Sequence, residues 1–221
     1  MHYYLTYFLA LKTGCFKDWQ ANTIANEDQG TDEDPNTLPG YGDTEQQRMQ
    51  NRTFHALHPG AGEGVGSKLL WQGAMNEAGG YQWLGRYLHY LQDTFSHAGY
   101  PDDTYGHSPL NAIPFVGSLK YGDHDTDKTA YDPAKARRMA GETWNALLEY
   151  AKAKQCNCDP KWDESWWEQI NDFINIATDS PRLSTIDAGQ RALDNPGLGD
   201  EDALMRKRRA LGLPDRYSGQ W

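Results

Sequence analysis

The chain has 221 residues, of which 21 are Lys or Arg and 31 are Asp or Glu, so its formal net charge at pH 7 is −10. This acidic balance argues against general binding of nucleic-acid phosphates, which requires a basic surface, and the length suits one large domain with a sizeable core. No apolar run approaches the roughly 20 residues that cross a bilayer. The apolar opening lacks the basic lead-in and the small-residue cleavage site of a signal peptide, so neither a transmembrane segment nor a signal peptide is predicted.

Helical periodicity and capping signals predict a succession of helices and no strands. In chain order the predicted helices cover residues 2–13, 18–28, 44–54, 67–78, 83–97, 133–154 and 163–177, with short helices after 180. Gly14 suits the end of the first helix, and Asp18 suits the N-cap of the second. Thr44 and Gln47 fit a capping box at the start of the third. Pro133 suits the first turn of the sixth.

Two stretches are predicted to be loops. Residues 58–67 contain four glycines and one proline, a composition typical of loops. Residues 99–132 are irregular and interrupted by three prolines, and a loop of this length in a compact domain is usually functional. The predicted fold class is therefore all-α: a helical-bundle domain over residues 1–179 with long irregular loops, and a helical extension packed on it over 180–221. The basic run at 206–209 in this extension is predicted to be a solvated face.

The three cysteines do not suggest a disulfide framework. Cys156 and Cys158 are too closely spaced to resemble a zinc knuckle. They are expected to be free thiols in a loop, with a labile disulfide between them as the alternative. Cys15 has no predicted partner.

The helix over residues 83–97 carries two patterns on opposite sides. Its apolar residues fall on one side at the spacing of a core-facing stripe; they are Leu84, Leu88, Leu91 and Phe95. His89, Asp93 and His97 are each four residues apart, so they stack along one line roughly opposite that stripe. One interpretation is an ordinary solvated face. The other is a metal site, because imidazole and carboxylate at this spacing can converge on one cation and Arg86 is the only long charged residue in this sector.

Other segments supply further candidate ligands. Histidine and carboxylate without thiolate suit zinc or another borderline-to-hard divalent ion. Two or three ions would be needed to use so many ligands, and a single helix cannot supply all of them. The candidates outside the central helix are His2, Asp32, His55, His107, His124 and Asp127.

The segment LGRYLHYLQD at residues 84–93, followed by His97-Ala98-Gly99-Tyr100, resembles the zinc-dependent phospholipase C family, whose helical fold is shared by the fungal-type single-strand nucleases. It is more similar still to an uncharacterised bacterial branch of that fold. In this branch the chain also starts with His-Tyr before an apolar helix and carries a Phe-His motif shortly before a proline. The resemblance covers about residues 1–148 and is most specific at the central helix.

The resemblance implies a trinuclear zinc cluster at the central helix. His89 and Asp93 match the family's His-x-x-x-Asp pair, in which the carboxylate can bridge two ions. His97 matches the next histidine of the family, although it follows Asp93 more closely here than in the phospholipases.

The resemblance also implies ligands ahead of the central helix. His55 matches the histidine that precedes it, with His58 as a neighbouring supporting candidate, and His2 resembles the histidine of the first helix. Asp32 resembles the acidic residue of the early loop, which in the family binds metal and is proposed to activate water. Asp32 and Asp93 are therefore the candidate catalytic residues.

Two departures from the family pattern concern the last ligands. The family uses a His and a Glu one turn apart on the next helix, but here that helix carries no His, although it does carry Glu142. His107, or His124 with Asp127, would have to serve from the loop instead. The N-terminal Trp that the phospholipases use as a ligand is also missing, which leaves two ions as an alternative to three.

The activity implied by the resemblance is metal-dependent hydrolysis of phosphodiester bonds. Phospholipid is the leading substrate, because the acidic charge favours a neutral headgroup, and single-strand nuclease activity is the near alternative. A non-catalytic binding or toxin module stabilised by metal is a second alternative, and hydrolysis of an amide or a carboxylic ester is a third. Family habit further suggests a secreted or injected bacterial effector with an inhibitor or immunity protein as its partner.

Overall fold

A computed structural model describes residues 2–37, 44–57, 65–97, 129–176 and 201–213 of the chain. These residues form eight helices and no strand, so the predicted all-α fold is confirmed. The helices are α1 His2–Lys12, α2 Asp18–Gly30, α3 Glu45–Phe54, α4 Val65–Asn76, α5 Gly80–Ser96, α6 Pro133–Ala153, α7 Trp166–Asn175 and α8 Glu201–Ala210. None of these helices has both the length and the apolar character needed to span a bilayer.

The N-termini of α2 and α3 are capped by side chains from the third helical position. At α3 the predicted capping box is confirmed: Thr44 Oγ1 accepts from the Gln47 backbone N–H at 3.2 Å, and Gln47 Oε1 accepts from the Thr44 N–H at 3.1 Å. At α2 the predicted N-cap is wrong by one residue. Asp18 is already helical and Lys17 is the N-cap, because Gln20 Oε1 reaches back to accept from the Lys17 N–H at 2.7 Å.

Helix α5 lies at the centre of the fold, with α2 and α4 packed most extensively against it and α6 next. The predicted apolar stripe is confirmed, since Leu84 and Leu88 are fully buried and Leu91 and Phe95 pack against the same core. Burial of each such leucine contributes about 1.5–3 kcal/mol. Further core residues come from the flanking helices; they include Leu5, Leu9, Ile24, Leu147, Ile170 and Phe173.

Gly85 allows α2 to approach α5 closely. A Cβ at this position would lie within 3.0 Å of the backbone of Ile24 and Asp28 and of the Glu27 side chain. Only a residue without a side chain fits such an approach. The polar side of α5 is consequently covered by α2.

A disulfide joins Cys15, just after α1, to Cys158 in the segment between α6 and α7, with an Sγ–Sγ distance of 2.11 Å. The expectation that Cys158 is a free thiol is therefore wrong, and so is the alternative pairing with Cys156, which is free. The bond spans 143 residues, and the spacing of neighbouring cysteines carries no information about a partner that distant.

Only half of the basic run on α8 is a solvated face: Arg206 and Arg209 are exposed, but Lys207 and Arg208 are buried. Lys207 Nζ donates to Thr129 Oγ1 at 2.7 Å and to the Phe173 carbonyl at 3.2 Å, and it lies 4.5 Å from the centroid of the Phe173 ring. Burial lowers the pKa of Lys207 to about 8. Helix α8 packs on α7, and Leu211 joins the main core.

Candidate metal centre

Four separate segments bring imidazoles and carboxylates to one place beside α5. His2 is the first residue of α1, and Asp32 lies in the turns that follow α2. His55 is the C-cap residue of α3. His89 and Asp93 are one turn apart on α5, on the side that α2 covers. The five residues that the sequence singled out in these segments therefore meet in the fold.

The inner atoms of this cluster lie within a narrow range of distances. His89 Nε2 is 3.0 Å from His55 Nδ1, 3.2 Å from Asp93 Oδ2 and 3.3 Å from Asp32 Oδ1. His55 Nδ1 is 3.3 Å from Asp93 Oδ2 and 3.6 Å from Asp32 Oδ1. We call His55, His89, Asp93 and Asp32 the inner cluster.

His2 extends the inner cluster on its other side. Its Nε2 lies 3.9 Å from Asp32 Oδ2 and 3.9 Å from Asp93 Oδ1. The carboxylate of Asp93 therefore faces His55 and His89 with one oxygen and His2 with the other. Two overlapping groups of three potential ligands result, one made of His55, His89 and Asp93 and the other of His2, Asp32 and His89.

The inner cluster is buried except at Asp32. The side chain of His89 is fully buried and that of Asp93 is 5 % exposed, whereas the Asp32 side chain is 36 % exposed. The interpretation of the His89–Asp93–His97 line as a solvated face is therefore wrong. Asp32 is therefore the most exposed residue of the inner cluster.

Hydrogen bonds on the outer side of two rings direct a lone pair toward the cluster. His55 Nε2 lies 2.6 Å from the carbonyl oxygen of Thr37, which can only accept, so the proton of a neutral His55 is on Nε2 and the lone pair is on Nδ1. His2 Nδ1 lies 2.8 Å from Gln92 Oε1, which leaves its Nε2 facing Asp32 and Asp93. Outer partners of this kind fix the tautomer of metal-binding histidines.

The charges in the cluster stabilise one another. Burial alone would lower the pKa of His89, but the carboxylates of Asp93 and Asp32 outweigh it and raise that pKa well above its ordinary value. Burial alone would raise the pKa of Asp93, but the positive charge of His89 holds it well below its usual range. The pKa of Asp32 is lowered in the same way, against burial, by His89, His2 and His55. Both carboxylates are ionised at neutral pH, so the site attracts positive charge.

The inner cluster fits a divalent cation. Donor atoms about 2.0–2.1 Å from a tetrahedral zinc ion lie about 3.3 Å from one another, and the three distances among His55 Nδ1, His89 Nε2 and Asp93 Oδ2 run from 3.0 to 3.3 Å. The two imidazole nitrogens at 3.0 Å would present lone pairs to each other unless a proton or a cation lay between them. Nitrogen and carboxylate donors without thiolate suit zinc or another borderline divalent ion.

The remaining candidate ligands lie at the margin of the cluster or elsewhere. His97, the C-cap residue of α5, is buried with its Nε2 3.8 Å from Asp93 Oδ1. Glu142 is exposed on α6 and belongs to neither of the potential metal-binding groups formed by the described residues. The other four lie outside the described residues: His58, His107, His124 and Asp127.

The sequence interpretation missed one acidic residue of the site. Asp28 is fully buried one turn before Asp32, and its Oδ1 lies 3.2 Å from His2 Nδ1 and 3.5 Å from His89 Nδ1. Burial alone would raise the pKa of Asp28, but hydrogen bonds with the two imidazoles lower it. The four-residue spacing from Asp28 to Asp32 repeats that of His89 and Asp93 and is the signal that could have identified it.

Comparison of the chain with protein-family models, with curated proteins and with solved structures gave no match.

Proposed function

We propose that this protein is a metal-dependent hydrolase of phosphodiester bonds, with phospholipid as the leading substrate. The observation that carries the proposal is the inner cluster: His55, His89 and Asp93 lie at the spacing of ligands around one cation, and the partly exposed Asp32 lies beside them. The residues that would hold the ion are His55, His89, Asp93 and Asp32. His2 and His97, which face the other oxygen of Asp93, are the candidates for holding a second one.

A bound divalent ion would supply Lewis acidity toward a phosphoryl oxygen and lower the pKa of water toward neutrality. Residues of the chain would supply the other two roles, which are to hold positive charge and to accept a proton. Asp93 uses both carboxylate oxygens and lies among the histidines, which suits it to hold positive charge in place. Asp32 is the partly exposed carboxylate, so it is the group placed to accept a proton from a water molecule that enters the site.

Two features support phospholipid over nucleic acid as the substrate. The segment around His89 and Asp93 resembles the zinc-dependent phospholipases C, and the formal charge of −10 disfavours a polyanionic substrate.

The disulfide between Cys15 and Cys158 supports action in an oxidising compartment, such as outside the cell. This agrees with the proposal of a secreted effector.

The test is turnover by purified, zinc-loaded protein. We expect release of phosphocholine from phosphatidylcholine vesicles, its loss with a chelator, and its loss in His89→Ala and Asp93→Asn. Gly141→Ala is the control that should keep full activity, because a Cβ there meets nothing within 4 Å and the residue is on α6. Parallel assays with single-stranded DNA and RNA test the nuclease alternative. Zinc-loaded protein that hydrolyses none of these substrates would contradict the phosphodiesterase proposal.

A second candidate is a non-catalytic module that keeps the metal for stability. The nearly complete burial of His55, His89 and Asp93 favours it, because structural metal sites are closed whereas catalytic ones keep an open position. Zinc that raises the melting temperature without any turnover on phosphodiester, amide or carboxylic ester substrates would support this candidate.

A further inference from the structure

Asp28 lies behind the candidate ligands rather than among them. It is fully buried on α2, and its two carboxylate oxygens face different groups. Oδ2 accepts from Thr6 Oγ1 and, at 2.9 Å, from Gln92 Nε2. Oδ1 faces the Nδ1 atoms of His2 and His89 at 3.2 and 3.5 Å. One carboxylate thus connects α1 and α5 to two imidazoles of the proposed metal centre.

The hydrogen-bond network fixes the orientation of each member. Gln92 Nε2 donates to Thr6 Oγ1 at 2.8 Å as well as to Asp28, so Gln92 Oε1 must be the atom that faces His2 Nδ1. Because Oδ2 already accepts two hydrogen bonds, Asp28 Oδ1 is the acceptor left for the imidazoles. Asp28 Oδ1 and His89 Nδ1 are both buried without a hydrogen-bond partner, and they face each other at 3.5 Å.

We infer that Asp28 is a positioning residue, which holds His2 and His89 as the tautomers that present Nε2 to a cation. The inference rests on the proposed metal centre and adds to it a residue outside the ligand set. Asp28 is not itself a ligand of that centre, because it faces Nδ1 of the His89 ring while the inner cluster lies at Nε2. Carboxylates behind metal-bound histidines orient the ring and increase its basicity.

The substitution Asp28→Asn separates this role from simple space filling. Asparagine has the shape of aspartate, but one of its two terminal atoms is a donor. If the amide nitrogen faces His2 and His89, it opposes the N–H groups on their Nδ1 atoms. If it faces Gln92 and Thr6, it opposes their donor groups. Either orientation disrupts the network, and the zinc affinity should fall about 10- to 100-fold.

The experiment measures the zinc dissociation constant of the full chain by competition with a chromophoric chelator. The free energy of unfolding of the metal-free protein is measured alongside it. Ile170→Val is the matched control: it loses stability in the core on α7 and should keep the wild-type zinc affinity. We expect Asp28→Asn to bind zinc more weakly than Ile170→Val does, even where the two variants have lost the same free energy of unfolding.

Nitrogen-15 spectra of the zinc-loaded wild type give a second measurement that needs no variant. We expect the proton of His2 and of His89 on Nδ1, with Nε2 unprotonated. Wild-type protein that binds no zinc would overturn the metal centre itself and this inference with it. Wild-type protein that binds zinc while Asp28→Asn binds it equally tightly, or that carries the protons on Nε2, would overturn only the positioning role.

Discussion

Gly85→Ala should both destabilise the fold and weaken metal binding. The added methyl group would lie within 3.0 Å of the backbone of Ile24 and Asp28 on α2. Backbone atoms cannot turn aside as a side chain can, so α2 must move away from α5 by about 1 Å to restore ordinary contact distances. Asp32 follows α2, whereas His89 belongs to α5. The displacement therefore separates groups that should bind the same ion.

The magnitude follows from two opposing contributions. Overpacking of a well-packed contact costs about 1–3 kcal/mol, and the upper end applies here because two of the close atoms belong to the backbone. Alanine in a helix is favoured over glycine by about 1 kcal/mol. We expect a net loss of about 2 kcal/mol for Gly85→Ala, and a fall of about 4–8 °C in melting temperature for a domain of this size.

Urea denaturation of the metal-free protein and zinc titration of the folded protein provide the two assays. Gly141→Ala is the matched control, since a Cβ added to this helical glycine on α6 would meet nothing within 4 Å. It should gain about 1 kcal/mol and bind zinc as the wild type does. A Gly85→Ala variant that is as stable as Gly141→Ala, or that binds zinc with unchanged affinity, would refute the close approach of α2.

The remaining predictions concern the disulfide, the buried lysine and the ligand set. Cys158→Ser should lower the free energy of unfolding by up to about 5 kcal/mol, because it releases a loop of 143 residues. Thiol titration of unreduced wild-type protein in denaturant should find only Cys156. Three reactive thiols would contradict the pairing. The pKa of Lys207 is lowered from 10.5 to about 8, so the unfolded state binds more protons between these pH values. The free energy of unfolding should therefore rise with pH in this range, by at most about 1.4 kcal/mol per pH unit. Lys207→Met should be more stable than wild type at pH 7 and should lack that rise. Equal pH profiles of the two proteins in urea denaturation would count against a buried amine. Zinc titration should show a larger loss of affinity for His55→Ala than for His97→Ala, because only the first removes an atom of the inner cluster, and the reverse order would point to a different site.

The central helix was predictable because its two patterns repeat at the helical period. Leu84 and Leu88 indicated the core side, and the spacing of His89 and Asp93 indicated that they share a line. Whether that line faces water or another helix was not decided by spacing, since both arrangements have the same period. Gly85 was the available signal, because a glycine inside an amphipathic helix often marks a close approach of another backbone.

Asp28 was missed because the predicted second helix ended there. The helix continues to Gly30, which places Asp28 in its last turn, where the helix dipole disfavours a negative charge. A residue that conflicts with local preference is often kept for function. The conflict, together with the spacing to Asp32, could have suggested a role at the site.

Long-range pairings were beyond the reach of local patterns. The partner of Cys15 lies 143 residues away, and the more obvious candidate pair was the adjacent one. Lys207 was predicted to be part of a solvated basic face, but in the folded chain its ammonium group donates hydrogen bonds to the Thr129 hydroxyl and to the Phe173 carbonyl on α7. Such contacts depend on how the helices pack and not on the sequence around each residue.

The proposed metal centre requires a shared cation at the inner cluster, and anomalous diffraction at the zinc absorption edge from crystals grown with zinc tests this most directly. We expect a peak about 2.0–2.1 Å from both His55 Nδ1 and His89 Nε2, with carboxylate oxygens of Asp93 and Asp32 around it. Crystals grown with zinc that show no peak there, with the same imidazoles and carboxylates joined only by hydrogen bonds, would contradict the proposed metal centre.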